Sequence, residues 1–177
     1  EARIAPDQAL FFINLTADEA RKIVELTDDS AENDFRRSVS CVGSTVCQIG
    51  MQDSNGLLKD IFAHLKEKGI DTSKLPRLHI SGCPHSCGTH QIGEIGFHGA
   101  VKLVDKKPTV AFILVDGGSE HMGSENFGKM AGNIVATKIP EFLEALANIL
   151  NQSQEPDFGT WRMTHKAQYM ELIKAFE

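Results

Sequence analysis

Ser40-Cys-Val-Gly-Ser-Thr-Val-Cys-Gln48 and Ser81-Gly-Cys-Pro-His-Ser-Cys-Gly88 contain all four cysteines of the 177-residue chain. Cys41 and Cys47 form C-x5-C, 35 residues intervene, and Cys83 and Cys87 form C-x3-C. Two close pairs suit a 4Fe-4S cubane, which takes one thiolate per iron and needs four cysteines converging on a compact object. Gly43, Gly82 and Gly88 supply the backbone freedom for loops that wrap its corners. Ser44, Thr45, Ser86 and the loop amides are placed to donate hydrogen bonds to cluster sulfurs, which raises the reduction potential. Structural zinc also uses two cysteine pairs, but those run from C-x2-C to C-x4-C, and C-x5-C lies outside that window. Buried free thiols would explain cysteines without explaining their pairing. His85 and His90 flank the second pair, so metal ligation and proton transfer are open to them, as is the plainer role of hydrogen-bonding neighbour.

Outward from the cysteines the chain alternates strand and helix patterns. Upstream, Ala9-Leu-Phe-Phe-Ile-Asn-Leu15 reads as a strand with Phe11 and Phe12 in the core. Thr16-x-x-Glu19 is a capping box opening a helix to about Leu26. The polar residues 27–34, with Asp28, Asp29, Glu32 and Asp34, mark a lobe boundary. Between the cysteine pairs, Leu57, Leu58, Ile61, Phe62 and Leu65 fall at helical spacing and Gly69 closes the helix. Arg77-Leu-His-Ile80 is a short strand that delivers the second pair onto a loop. Downstream, residues 92–97, 101–104 and 109–115 read as three strands, the last two joined by the turn Asp105-Lys-Lys-Pro108. Pro140 opens a helix with Phe142, Leu143, Leu146, Ile149 and Leu150 on one face, and Tyr169, Leu172, Ile173 and Phe176 define a terminal helix. The fold expected is α+β (mixed α/β), a mixed sheet covered by helices.

Bulk properties exclude several classes. A net charge of −6 with scattered Lys and Arg gives no basic field for nucleic acid. The longest apolar stretches, such as residues 110–115, fall far short of the roughly 20 residues of a membrane-spanning helix, and the N-terminus lacks a signal pattern. A cytoplasmic protein without membrane or nucleic-acid partners is expected. Glu1 stands where a full chain would have Met, so a cut-out or processed piece is also expected.

The two cysteine segments resemble the nitrite and sulfite reductase family, whose members carry siroheme coupled to a 4Fe-4S cluster. The resemblance extends to Arg3-Ile-Ala-Pro-Asp-Gln8, Gln91-Ile-Gly-Glu-Ile-Gly96 and Asp116-Gly-Gly118, and weakens from Gln152 onward. It implies a partial ferredoxin-like lobe (the family's half-domain) over residues 1–34, a 4Fe-4S- and siroheme-binding domain over 35–155, and a C-terminal helical tail over 156–177. It further implies that Cys41, Cys47 and Cys83 bind the cluster, and that Cys87 binds both cluster and siroheme. Arg3, Thr45, His85 and Ser86 are implied cofactor neighbours, with Arg36 and Arg37 as weaker candidates. The activity implied is six-electron reduction of nitrite to ammonia or sulfite to sulfide, fed by a ferredoxin-like or flavoprotein donor. In the family an upstream repeat supplies the cations that hold the small inorganic anion, so the catalytic residues are not assigned within this chain and the chain alone is expected to be inactive. The competing expectation is a stand-alone 4Fe-4S electron-transfer module without siroheme.

Overall fold

The computed structural model describes residues 1–5, 9–28 and 31–177. Pro6, Asp7 and Gln8 of the family-like stretch 3–8, and Asp29 of the polar stretch, lie outside the described residues. The chain divides into two units, Glu1–Glu32 and Asn33–Glu177.

In the first unit β1 (Ala2–Ile4) and β2 (Leu10–Phe12) pair antiparallel, with Arg3 opposite Phe11, and α1 (Ala17–Thr27) follows. The capping box forms as read: Glu19 N–H donates to Thr16 Oγ1 at 3.4 Å, and the Glu19 carboxylate accepts from Thr16 N–H at 2.8 Å. Phe11 and Phe12, expected in a core, are 60% and 39% exposed. The reason is size: two three-residue strands and a helix with no buried residue enclose nothing of their own.

The second unit is a five-stranded mixed sheet in the order β3-β4-β5-β6-β7. After a 3-10 turn at Asp34–Arg37 come β3 (Val39–Ser40), α2 (Ser54–Glu67), β4 (Leu78–Ser81), β5 (Ile95–Val104), β6 (Lys107–Asp116) and β7 (Lys129–Val135). Helices α3 (Ile139–Gln152), α4 (Phe158–Thr164) and α5 (Lys166–Phe176) complete it. The first three strands are parallel to one another, and β5, β6 and β7 are antiparallel. Leu78, Ile80, Ile95, Phe97, Phe112, Leu114 and Ile134 point from the strands into a core closed by Ile61 and Leu65 of α2, Phe142 and Leu146 of α3, Trp161 of α4 and Ile173 of α5. Gly69 ends α2 as read: at φ +63° its N–H reaches Lys66 O, and Ile70 N–H reaches Leu65 O at 3.0 Å, a Schellman closure.

Two sheet expectations change. Residues 92–97 and 101–104 are not two strands: β5 is continuous through Gly99, and residues 92–94 are a turn. Gly99 is there for closeness, since a Cβ at that position would lie 2.1 Å from Gly82 O. The β5–β6 turn is the pair Asp105-Lys106, both at positive φ, and Pro108 already belongs to β6. Strands β1, β3 and β7 escaped the sequence reading, and α4 lies within residues 156–177, read only as a helical tail.

Helices α4 and α5 pack into the same core as the sheet. The Trp161 ring stacks on His165 at 5.3 Å and meets Tyr169 edge-on at 6.1 Å, and Arg162 pairs with Asp116 at the end of β6. No helix among the described residues is long and apolar enough to cross a membrane. Trp161→Ala is expected to lower unfolding free energy by about 3–5 kcal/mol, read from urea denaturation of the second unit's signal.

Candidate iron-sulfur centre

Strands β3 and β4 are parallel neighbours, with Val39 opposite His79 and Ser40 opposite Ile80, so they leave the sheet side by side and in one direction. Cys41 follows β3 at once, and its N–H donates to Ile80 O at 3.0 Å. Gly82-Cys83 follows β4, and Gly82 N–H donates to Cys41 Sγ at 3.1 Å. The first loop turns back through Gly43, at φ +72°, whose carbonyl accepts from Cys47 N–H at 2.9 Å. It then crosses to the second loop, where Met51 and Gln52 N–H both donate to Gly82 O.

The second loop is held from β4. Leu78 and Ile80 face the core, so His79 and Ser81 alternate to the other face. There Ser81 Oγ accepts from Gly88 N–H at 3.0 Å and meets His90 Nδ1 at 2.9 Å, while His79 Nδ1 and Thr89 Oγ1 share a hydrogen bond at 2.7 Å. Ser86 and Thr89 both take positive φ, and Thr89 N–H closes the turn on Ser86 O at 2.8 Å. Gly88 is pressed between strands: a Cβ there would stand 2.0 Å from Ile80 O and 3.2 Å from Cys41 N. The residue after Cys87 is thereby set against the backbone of Cys41.

All four cysteines are free thiols; Cys83 is buried, Cys41 and Cys47 are half-buried and Cys87 is exposed. Among the described residues no three His, Cys, Asp or Glu side chains gather as one ion would require. A cubane differs in asking for one thiolate at each of four irons. The donor chemistry fits such a cluster: four unbridged thiols on two interlocked loops, with a backbone N–H already aimed at one sulfur.

The other residues singled out from sequence fall as follows. His85 is exposed, with Nδ1 3.3 Å from Cys83 Sγ. The Thr45 hydroxyl donates to Val42 O at 3.3 Å, and Ser86 serves as the left-handed residue of its turn. His90 is buried, its ring 4.8 Å from that of His98. Arg36 lies over the Phe62 ring and Arg37 pairs with Asp34. Arg3 belongs to the first unit, where it forms an exposed pair with Glu1. Sequence reasoning missed Ser54, which is fully buried with Oγ 3.0 Å from Cys41 Sγ, and missed the supporting roles of His79 and Ser81. The available signal for Ser54 was Asp53-Ser54 ahead of the helical apolar spacing, a helix-start pattern.

With that geometry in place, comparison with known proteins is direct. The family model of the nitrite and sulphite reductase 4Fe-4S domain matches residues 31–175. The chain belongs to this family. Among curated relatives, the sulfite reductase [NADPH] hemoprotein beta-component of Bacillus licheniformis is 29% identical over 110 residues, 56% of this chain and 19% of that protein. The ferredoxin–nitrite reductase of Leptolyngbya laminosa is 31% identical over 83 residues, 47% of this chain and 16% of that protein. Among solved structures, the Mycobacterium tuberculosis NirA protein superposes with a TM-score of 0.68 at 18% identity, covering 96% of this chain and 33% of that one, which establishes a shared fold. The matched region is thus about a fifth of the length of these curated relatives.

Two outcomes follow for the family's cluster loops in this chain. Gly88→Ala is expected to lower iron retention sharply while far-UV circular dichroism stays near that of the unmodified protein, because the added methyl would fall 2.0 Å from Ile80 O and 3.2 Å from Cys41 N and push the two cysteine loops apart. Burial, reinforced by His98 and His79, pushes His90 from 6.5 to about 4. The folded state therefore keeps it neutral where the unfolded chain takes up a proton. Its contribution to stability is full above pH 6.5 and drains away as pH falls from 6.5 to 4. Urea midpoints should fall across that window, and His90→Asn should flatten the fall; equal slopes for both proteins would contradict this.

Proposed function

We propose that the chain is the cluster-bearing part of a nitrite or sulfite reductase hemoprotein that delivers six electrons to a small inorganic anion, taking nitrite to ammonia or sulfite to sulfide. In this reading Cys41, Cys47 and Cys83 hold the 4Fe-4S cluster and Cys87 ligates both a cluster iron and the siroheme iron. The observation that carries it is the exposure of Cys87 beside three more sheltered thiols, which leaves its sulfur open to a second metal. When bound, the cluster and siroheme supply a path for single electrons from a ferredoxin-like or flavoprotein donor.

The chain's own residues position and shield. Gly82 N–H and the interlocked glycine loops fix the sulfurs, and His85 stands beside Cys83 as a hydrogen-bonding neighbour. Val42, Val46 and Ile49 are exposed on the first loop and offer an apolar floor next to the thiols, suited to a macrocycle that keeps water off them. Thr45, whose hydroxyl donates to Val42 O, Ser86 on the second loop and Arg3 are kept as candidate neighbours of siroheme, Arg3 for its carboxylates. The cations that bind and protonate the anion are assigned to an upstream repeat, so the chain alone is inactive in turnover. A cytoplasmic setting accords with four unbridged cysteines.

The test is to produce the protein with its upstream repeat in siroheme-replete cells, then supply reduced carrier and nitrite or sulfite. Tetrapyrrole absorbance with ammonium or sulfide formed at six electrons per anion is expected. A protein that holds its cluster yet shows neither tetrapyrrole absorbance nor product would be an electron-transfer module instead.

A further inference from the structure

Ser54 opens α2 and is fully buried, yet the helix does not need its hydroxyl, because Asp53 is the N-cap and its carboxylate accepts from Gly56 N–H at 2.9 Å. The hydroxyl instead has two neighbours on a single residue. It donates to Cys41 O at 2.9 Å and lies 3.0 Å from Cys41 Sγ. The backbone around it is crowded: a Cβ on Gly43 would stand 2.8 Å from Ser54 N and 3.1 Å from its Oγ, and one on Gly82 would stand 3.5 Å from that Oγ. The first cysteine loop, the second loop and the start of α2 therefore meet at this one oxygen.

A serine hydroxyl has one proton to give and lone pairs to accept with. A free Cys41 thiol can donate its S–H to Ser54 Oγ while the O–H serves Cys41 O. A sulfur bonded to iron has no proton, so in that state the hydroxyl is the one possible donor of the pair. Resting on the reading of Cys41 as a cluster ligand, we infer that Ser54 is a positioning residue whose hydroxyl turns from Cys41 O to donate to the iron-bound sulfur of Cys41. It joins the Gly82 N–H on the same sulfur, and the two donors together favour the reduced cluster. Hydrogen bonds to a ligating thiolate draw off negative charge, which stabilises the state with one more electron and raises the potential.

The test is an EPR-monitored redox titration of the holoprotein and of Ser54→Ala and Ser54→Thr, each assayed for iron and sulfide. Ser54→Ala should keep its cluster but show a roughly tenfold lower ratio of reduced to oxidised cluster at a fixed solution potential, ~59 mV for a one-electron couple. Ser54→Thr, which retains the hydroxyl, should recover most of that shift. An unchanged potential in Ser54→Ala, or an equal shift in Ser54→Thr, overturns the assignment. Where Ser54→Ala does not retain iron, electron-nuclear double resonance on the reduced unmodified protein in H2O and D2O decides. A coupled exchangeable proton not borne by nitrogen, as judged by 15N labelling, supports the assignment, and its absence overturns it. An unmodified protein without iron and sulfide would overturn the cluster reading itself, a result distinct from a cluster whose potential ignores Ser54.

Discussion

Everything at the site depends on one parallel pairing, that of Val39-Ser40 with His79-Ile80. Parallel neighbours end on the same edge of a sheet, so two segments almost forty residues apart emerge together and carry one member of each cysteine pair with them. Parallel pairing demands a crossover, and α2 provides it by burying Leu57, Ile61 and Leu65 in the core. The same helix brings Ser54 back to Cys41 at its first turn. Core packing and the geometry of the cysteine loops are thus coupled through a single element.

The remaining loops are locked by close backbone approaches rather than by side-chain bulk. Gly82, Gly88, Gly96 and Gly99 each sit where a methyl group would fall within about 2.5 Å of a carbonyl oxygen. The polar face of β4 adds a second lock, because Ser81 and His79 hold the backbone and side chains of residues 88–90. A buried neutral histidine is an economical partner for a hydroxyl, since it can donate or accept without carrying charge into the interior. Rigid loops of this kind suit a cofactor whose potential depends on fixed donors.

The fold class and the family were legible in the sequence, and the strand boundaries less so. Cysteine spacing pointed to the cluster, and the family match over residues 31–175 places the chain among 4Fe-4S reductase domains. Helices with strong apolar spacing and clear ends, such as α2 with Gly69 and α3 with Pro140, were readable because local rules govern them. Strand β5 runs unbroken through residues 98–100, which the sequence reading leaves between two strands, and the neighbouring Gly82 carbonyl accounts for the glycine at position 99. Strand β7, Lys129-Met-Ala-Gly-Asn-Ile-Val135, is poor in strand formers and is held by pairing to β6. Helix α4 contains Gly159 and spans only seven residues, so its signal is the Asp157 cap and the burial of Phe158 and Trp161, which is tertiary information. Phe11 and Phe12 show the opposite failure, where local apolarity promised a core that a short hairpin does not provide. For Ser54 the sequence signals only a helix start; its contact with Cys41 Sγ is set by the fold, as the pairing of β7 is.

The most direct measurement is iron, acid-labile sulfide and zinc content of the chain purified without oxygen, with a visible spectrum of the same sample. Iron and sulfide in equal amounts, about four of each per chain, with broad absorbance toward the blue is the predicted result. Stoichiometric zinc without iron would contradict the account at its centre.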